Sequence, residues 1–218
     1  VARTDRLILR VRREEVAPRV EVLVDASRSM AITQAKRERV RELGELLPRL
    51  ARAQGLTPAV FWLGAVPRRV DGPLPDDFEA KHALPALLPR VALRPCGVRV
   101  VLSDLLFDIP LQPLVRRLAD GAARLVLVQV LDASDEDPEG GEGARLVDSE
   151  TGEALDRLLG PEVLERYRTR LAAHQAALDG EARRVRAAVC RVSAAQELEA
   201  CVRERLAGEL LEPRTRVG

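Results

Sequence analysis

Asp25, Ser27 and Ser29 are the residues of this sequence whose types and spacing most clearly point to chemistry. Their spacing of two places the three side chains on one side of a locally extended loop. One carboxylate and two hydroxyls are hard oxygen ligands, which Mg²⁺, Mn²⁺ and Ca²⁺ prefer. The same residue types also suit helix capping, because Asp and Ser that follow a strand often accept hydrogen bonds from the next helix. The residue types and their spacing are therefore compatible both with metal binding and with helix capping by Asp25 or Ser27.

Asp104 is the candidate for a second carboxylate ligand. It follows the apolar run Val98–Leu102, much as Asp25 follows an apolar run of its own. Runs this apolar are typical of strands in a parallel sheet that is covered on both faces. Such sheets hold their ligands beyond the carboxyl ends of the strands, where the strand order reverses. Two carboxylates and two hydroxyls would leave coordination positions open for water or for an acidic group of a partner.

The elements that must position these residues alternate along the chain. Strands are predicted at 20–24, 59–63, 66–70, 98–102, 124–131 and 185–192, and helices at 31–53, 78–88, 111–119, 161–178 and 194–210. This alternation predicts an α/β fold, doubly wound, with a mostly parallel central sheet flanked by helices. The acidic, glycine-rich residues 132–144 predict a mobile loop, and residues 145–155 predict a small hairpin.

The domain prediction follows from that pattern. Residues 1–18 are expected to form an N-terminal arm, which could be the end of a preceding segment. Residues 19–213 are expected to form one domain, with the loop and hairpin inserted at 132–160. His174 is predicted to be a surface residue and Cys190 a core residue.

Composition excludes several classes of function. A formal net charge of +1 argues against a nucleic-acid partner, which would require a strongly basic surface. The three cysteines have no CxxC spacing, which favours a reducing compartment and hence the cytoplasm. No apolar run reaches the length of a membrane span. Because the sequence opens at Val1, attachment to a membrane through an upstream segment is left open.

Residues 22–30, VLVDASRSM, carry a resemblance to a known fold family. They resemble the strand and loop of von Willebrand factor A domains, in which Asp-x-Ser-x-Ser begins the metal-ion-dependent adhesion site. Within that fold, the chain resembles the bacterial domain-of-unknown-function 58 family, which is often encoded beside MoxR-type AAA+ ATPases. The stretches that carry this second resemblance are 13–15, 18–19, 101–104, 130–132, 145–148, 150–153 and 166–168.

The resemblance implies a function as well as a fold. It assigns Asp25, Ser27, Ser29 and Asp104 as ligands of Mg²⁺, or of Mn²⁺ or Ca²⁺, in a von Willebrand factor A-like domain. It also implies a non-enzymatic protein–protein interaction domain whose partner presents an acidic residue, either a MoxR-type ATPase or a client that this ATPase remodels. Adhesion sites of this kind also use a Thr, and residues 71–88 contain neither Thr nor Ser. The substitutes that the sequence offers there are Asp76, Asp77, His82 or water.

Two other functions compete with this one. The first is a metal-free interaction scaffold of the same fold that binds through its loops. The second is a Mg²⁺-dependent hydrolase, because Asp25 has the position of the nucleophile in haloacid dehalogenase-like phosphatases. Those enzymes need a second Asp two residues later as the general acid, and this chain has Ser27 there. We therefore expect the protein not to be an enzyme.

Overall fold

The strands of the predicted sheet lie side by side in one layer. The computed structural model describes residues 19–80, 84–138, 145–147, 154–156 and 160–206. Its strands are β1 (Arg19–Asp25), β2 (Thr57–Leu63), β3 (Pro67–Val70), β4 (Cys96–Ser103), β5 (Ala122–Leu131), β6 (Arg145–Val147), β7 (Ala154–Asp156) and β8 (Ala188–Ser193). The main sheet has the order β3-β2-β1-β4-β5-β8, and β6 and β7 form the predicted hairpin.

The direction of the strands confirms the doubly wound α/β fold. β2, β1, β4, β5 and β8 are parallel to their neighbours, whereas β3 pairs with β2 in the antiparallel direction. From β1 the chain moves outward to β2 and β3, and then crosses to β4 on the other side of β1. The strand order therefore reverses between β1 and β4, which is where ligands of such sheets bind.

Helices cover both faces of the sheet. They are α1 (Gln34–Ala53), α2 (Leu84–Leu87), α3 (Leu111–Ala119), α4 (Ala133–Glu136), α5 (Pro161–Arg184) and α6 (Leu198–Cys201). A 3-10 turn, Arg28–Ala31, precedes α1, and a π-helical turn, Val202–Leu206, follows α6. Among the described residues, no helix combines the length and the apolar character that crossing a membrane requires.

Each face of the sheet has its own apolar core. On one face, Val22 and Val24 of β1 pack against the apolar stripe of α1, which contributes Val40, Leu43 and Leu47. On the other face, Leu23 and its neighbours pack against α2, α3 and α5. Cys190 is buried in the first core, as predicted. The alternation of side chains along β1 explains why its run of apolar residues is continuous, since both faces are covered.

The predicted helix over 78–88 is wrong. Residues 78–80 are not helical, residues 81–83 lie outside the described residues, and the helical part that is described is α2, followed by a 3-10 turn, Leu88–Arg90. Pro85 disfavours a continuous helix over 78–88, because a proline in a helix interior removes a backbone hydrogen bond and clashes with the preceding turn. Phe78 instead packs against the buried Trp62 with a ring separation of 5.0 Å. The backbone of Ala80 pairs with that of Ser27, next to the candidate ligands.

The predictions for the acidic loop and for the closing helix need correction, and parts of both segments lie outside the described residues. The segment 132–144 is not a loop throughout, because α4 occupies Ala133–Glu136. Asp132 and Asp135 form a reciprocal capping box that stabilises this single helical turn. The closing helix begins at Leu198 rather than at residue 194. The predicted arm at 1–18, residues 139–144 of the loop and residues 207–210 of the closing helix lie outside the described residues.

A buried ion pair joins β1 and β4 away from the candidate site. Arg99 and Glu21 are register neighbours in the parallel pair, and both side chains are fully buried. The Arg99 guanidinium donates to Glu21 Oε2 at 2.9 and 3.0 Å, and also to the backbone carbonyls of Leu118, Asp120 and Arg94. The partly exposed Arg19 also lies 3.4 Å from Glu21 Oε1. The buried pair thus has additional partners on both sides, the condition under which a buried pair is tolerated.

Candidate functional site

Asp25 ends β1 as a carboxylate with no exposure to solvent. Its Oδ1 accepts a hydrogen bond from the backbone N–H of Ser27 at 3.0 Å. Its Oδ2 accepts one from the hydroxyl of Ser103, at the end of β4, at 2.7 Å. Burial, and next the nearby Asp104 carboxylate, raise the pKa of Asp25 from its ordinary 3.8 to about 7, against the lowering effect of these hydrogen bonds. Asp25 is therefore a carboxylate whose negative charge is only partly compensated.

Ser27 and Ser29 lie in direct contact with each other. Their hydroxyl oxygens are 3.1 Å apart, and Ser27 is buried while Ser29 is half-buried. Ser27 stands at the N-terminal end of the 3-10 turn without capping it through its side chain. The cap of α1 is Thr33, whose hydroxyl accepts the backbone N–H of Lys36 at 3.1 Å. Thr33 therefore fills the capping role that the sequence left open for Asp25 and Ser27.

Asp104 lies across the switch point from Asp25, directly after β4. It is 3 % exposed, and the backbone on either side of it is tightly held. Its N–H donates to the sulfur of Met30 at 3.1 Å, and its carbonyl accepts from the Gln129 side chain at 2.8 Å. Its Oδ1 accepts the N–H of Leu106 at 3.3 Å. The structure thus brings Asp104 close enough to Asp25 for the two carboxylates to interact, as the sequence predicted.

Lys36 is a member of this site that the sequence reasoning missed. Its side chain comes from the first turn of α1 and is fully buried. Its ammonium group donates to Asp104 Oδ2 at 3.2 Å and to Asp135 Oδ2 at 2.7 Å. A signal was present in the sequence, because Lys36 precedes Val40 and Leu43 on the apolar stripe of α1 at spacings of four and three. A lysine in such a stripe faces the interior and needs a buried partner.

Asp135 links the site to α4 and α5. The oxygen that accepts from Lys36 also accepts the backbone N–H of Asp132 at 2.9 Å, which closes the α4 turn. The backbone carbonyl of Asp135 accepts the phenol hydroxyl of Tyr167, on α5. Burial raises the pKa of Tyr167, so the phenol keeps its proton and remains a donor. The acidic segment after β5 therefore has a defined contact with the site through one carboxylate.

The turn after Asp104 has an uncommon backbone conformation. Leu105 has φ of 55°, a region that residues with a side chain rarely adopt, and its own side chain is buried. Its N–H donates to the Ser103 hydroxyl at 3.1 Å, and its carbonyl lies 2.6 Å from His174 Nε2. Because a carbonyl only accepts, Nε2 must donate here. His174 is thus half-buried and holds this turn, so the prediction that it is a surface residue is wrong.

The substitutes proposed for the missing Thr are engaged elsewhere or lie outside the described residues. Asp76 pairs with Arg37 and Arg41 at the protein surface. Asp77 pairs with Arg68, also at the surface. His82 lies outside the described residues.

The comparisons with known proteins give no relative. No family model, curated protein or solved structure matches the chain. The chemistry of the site must therefore be argued from its own residues.

A divalent cation fits the donor set and the charge of the site. Within the described ranges, no group of three or more His, Cys, Asp or Glu side chains is arranged to hold a metal. The candidate set is of a different kind, with two carboxylates and the paired hydroxyls of Ser27 and Ser29, all hard donors. The ammonium of Lys36 pairs with Asp104 and Asp135, and Asp25 interacts with the Asp104 carboxylate. When Asp25 is ionised, these three carboxylates and one ammonium group carry a net charge of about −2, which matches the charge of a divalent ion.

Proposed function

We propose that this chain is a non-enzymatic protein–protein interaction domain. Its binding surface would be the carboxyl edge of the sheet, which is the side of the sheet where the parallel strands have their C-terminal ends. A divalent ion, Mg²⁺ by preference or Mn²⁺ or Ca²⁺, would be held there by Asp25, Ser27, Ser29 and Asp104. When bound, the ion would supply a positive charge with open coordination positions that attract a carboxylate of the partner. The resemblance to von Willebrand factor A domains motivates this proposal, and the geometry of the cluster supports it.

One observation carries the proposal, namely that exposed apolar residues follow the carboxyl ends of neighbouring strands, the same edge of the sheet at which the polar cluster lies. The large hydrophobic side chains that are exposed in the described part of the chain are Ile32, Val66 and Ile109, at 55 %, 68 % and 43 %. They follow the carboxyl ends of β1, β2 and β4, which are neighbours in the sheet. Exposed apolar side chains at the same edge as polar groups are typical of protein interaction surfaces.

Arg28 favours an acidic partner. It lies between Ser27 and Ser29 and its side chain is exposed, whereas the two serines face each other in the interior. A guanidinium can bind a carboxylate in a bidentate manner. The preferred partner would therefore present a carboxylate beside apolar side chains. By resemblance, we propose a MoxR-type ATPase or one of its clients, and a cytoplasmic location in which the two would meet.

Calorimetric titration with Mn²⁺ tests the metal-dependent part of this proposal. The wild-type chain is expected to bind about one equivalent, and Asp25→Asn is expected to lose the binding because it removes the central carboxylate. Ser134→Ala is the matched control, since it removes an exposed hydroxyl beyond the end of β5 that touches only Asp132 in the described contacts. Equal binding by wild type and Asp25→Asn would refute the assignment of this site.

Binding to a purified MoxR-type ATPase from the same genome tests the interaction surface. Ile32→Ser is expected to weaken binding about tenfold, because it removes a large exposed apolar contact, while Mn²⁺ affinity stays unchanged. Asp25→Asn is expected to remove only the Mg²⁺-dependent part of the binding. If Ile32→Ser binds as well as wild type, the carboxyl edge is not the surface that this partner uses.

A metal-free scaffold is the second candidate, and Lys36 favours it. The ammonium group already gives Asp104 a cationic partner at 3.2 Å. Partner binding that needs Ile32 but is insensitive to EDTA and to Asp25→Asn would support this second function.

A further inference from the structure

We propose that Lys36 sets the affinity of the site for divalent ions, because its ammonium group competes for the carboxylate of Asp104. The inference rests on the proposed metal-dependent function and assigns an affinity-determining role to a residue outside the ligand set. Lys36 is the cation that the cluster already contains. Asp135 determines how strongly Lys36 pairs with Asp104.

The burial of Lys36 is the first observation behind this proposal. An ammonium group with no solvent exposure loses its hydration, so it stays charged in the interior only where anionic partners replace the lost water. The structure supplies two such partners, Asp104 at 3.2 Å and Asp135 at 2.7 Å. A lysine that served only packing would need no anionic partner. Because Lys36 has two, its role is to pair with the carboxylates of the cluster.

The position of Asp104 makes competition unavoidable. Its backbone is fixed on one side by Met30 and on the other by Gln129, so the carboxylate has little freedom to move away. One of its oxygens accepts from Lys36 and the other from the N–H of Leu106. A divalent ion at Asp104 would therefore share this carboxylate with an ammonium group, and two cations on one carboxylate repel each other strongly in a buried setting.

Asp135 modulates this competition without being a ligand. It makes the shorter of the two ion pairs, so it draws the ammonium group toward α4 and away from Asp104. Its own oxygen is held by the N–H of Asp132, in the capping box of the α4 turn. Loss of the charge on Asp135 would leave Asp104 as the stronger partner of Lys36. The α4 turn is in this way connected to the ion affinity of the site.

The signs of the expected effects follow from these contacts. Lys36→Met keeps the length of the side chain and removes the charge, so Mn²⁺ affinity is expected to rise by at least about tenfold. Asp135→Asn is expected to lower the affinity about threefold or more, because Lys36 then pairs with Asp104 alone. In the Lys36→Met background, Asp135→Asn is expected to have a smaller effect, since Asp135 acts mainly through the lysine.

The experiment is a calorimetric Mn²⁺ titration of five chains and one control variant at about pH 8, where most of Asp25 is ionised. The five chains are the wild type, Lys36→Met, Asp135→Asn, the double variant and Lys36→Arg, which keeps the charge and is expected to stay close to wild type. Arg37→Met is the matched control, because it removes a positive charge one residue away whose partner is the surface carboxylate of Asp76. Thermal unfolding of each chain identifies any variant that fails to fold, and Asp135→Asn still tests the proposal if Lys36→Met does not fold.

The outcomes separate this inference from the proposed function. If wild type and Lys36→Met bind Mn²⁺ with equal affinity, the role of Lys36 is refuted while the metal site stands. If only Lys36→Met binds, the role of Lys36 is supported, and the native chain acts as the metal-free scaffold. If no variant binds, both proposals fail. An equal effect of Asp135→Asn in the presence and absence of Lys36 would also overturn the inference.

Discussion

Replacement of Asp25 by Asn should make the metal-free protein more stable, and more so as the pH rises. Asp25 is fully buried, and its pKa is raised to about 7 by burial and by the Asp104 carboxylate. The folded protein therefore binds a proton at Asp25 in a pH range where the unfolded chain has released it. Between about pH 4 and 7 the folded state holds more protons than the unfolded state, so the free energy of unfolding falls as the pH rises.

The size of the effect follows from the two pKa values. A pKa of about 7 in place of 3.8 corresponds to about 4 kcal/mol, reached above pH 7. About 2 to 3 kcal/mol of this difference develops between pH 5 and pH 8. Asp25→Asn removes the ionisation and keeps the shape, but its amide can meet only part of the hydrogen bonds of the carboxylate. We therefore expect a net gain of roughly 2 to 4 kcal/mol at pH 8.

Urea denaturation followed by tryptophan fluorescence measures this difference. Trp62 is the only tryptophan of the sequence and is fully buried in the sheet, so its emission reports global unfolding. Wild type and Asp25→Asn are compared at pH 5 and at pH 8 in EDTA. Subtracting the two proteins at each pH cancels the titration of all other groups. If the proposed metal site exists, adding Mn²⁺ at pH 8 should then stabilise the wild type alone, because the variant lacks the carboxylate proposed as the central ligand.

Two results would show that this reasoning is wrong. The first is a stability difference between wild type and Asp25→Asn that does not change between pH 5 and pH 8. The second is a variant less stable than wild type at pH 8 without Mn²⁺, which would mean that the Asp25 charge is well compensated by its hydrogen bonds. Asp71→Asn is the control at an exposed carboxylate, and it should change stability by less than about 1 kcal/mol at either pH.

Two further substitutions test the fold that positions the site. Glu21→Gln should lower the free energy of unfolding, measured by urea denaturation, by about 3 to 5 kcal/mol, because it leaves the buried guanidinium of Arg99 without its anion. Glu45→Gln, at an exposed ion pair, should change the free energy of unfolding by less than about 1 kcal/mol. Equal effects of the two substitutions would contradict the burial of the pair of Glu21 and Arg99. Arg186→Gly should stabilise the protein by about 1 kcal/mol, because the exposed Arg186 has φ of 57° after α5, a left-handed conformation that glycine adopts without strain. A loss of stability would mean that the arginine side chain makes a contact that outweighs this backbone strain.

The sheet and the positions of Asp25 and Asp104 at its edge could be predicted from the sequence because both depend on local patterns. A run of apolar residues indicates a strand that is covered on both faces, and the polar residues that follow it, up to Asp25 or Asp104, mark the carboxyl end of that strand. The helix over 78–88 could not be predicted reliably, because periodicity does not reveal the tertiary pairing that keeps Ala80 extended beside Ser27. The candidate residues thus lie at the strand ends where the sequence predicts them, while one of the segments beside them does not have the predicted conformation.

The remaining members of the cluster depend on contacts between distant parts of the chain. Lys36 meets Asp104 and Asp135, which are 68 and 99 residues away in sequence. The place of Lys36 on the apolar stripe indicates an interior position but does not identify its partners, and a carboxylate within an acidic segment is expected to be exposed to solvent. Their positions are fixed only when α1, β4 and α4 come together at the carboxyl edge.

Two buried charge clusters among the described residues allow an internal comparison. The carboxylate of Glu21 is met by the guanidinium of Arg99 and, at 3.4 Å, by that of Arg19, and three backbone carbonyls accept the remaining donors of Arg99. At the carboxyl edge, Asp104 and Asp135 share the ammonium group of Lys36, and the pKa of Asp25 is raised by burial and by Asp104. The difference between the clusters is therefore that negative charge is in excess only in the second. The Glu21 cluster suits a structural role, whereas the carboxylate-rich cluster reduces stability and is the one that a cation or a charged partner would complete.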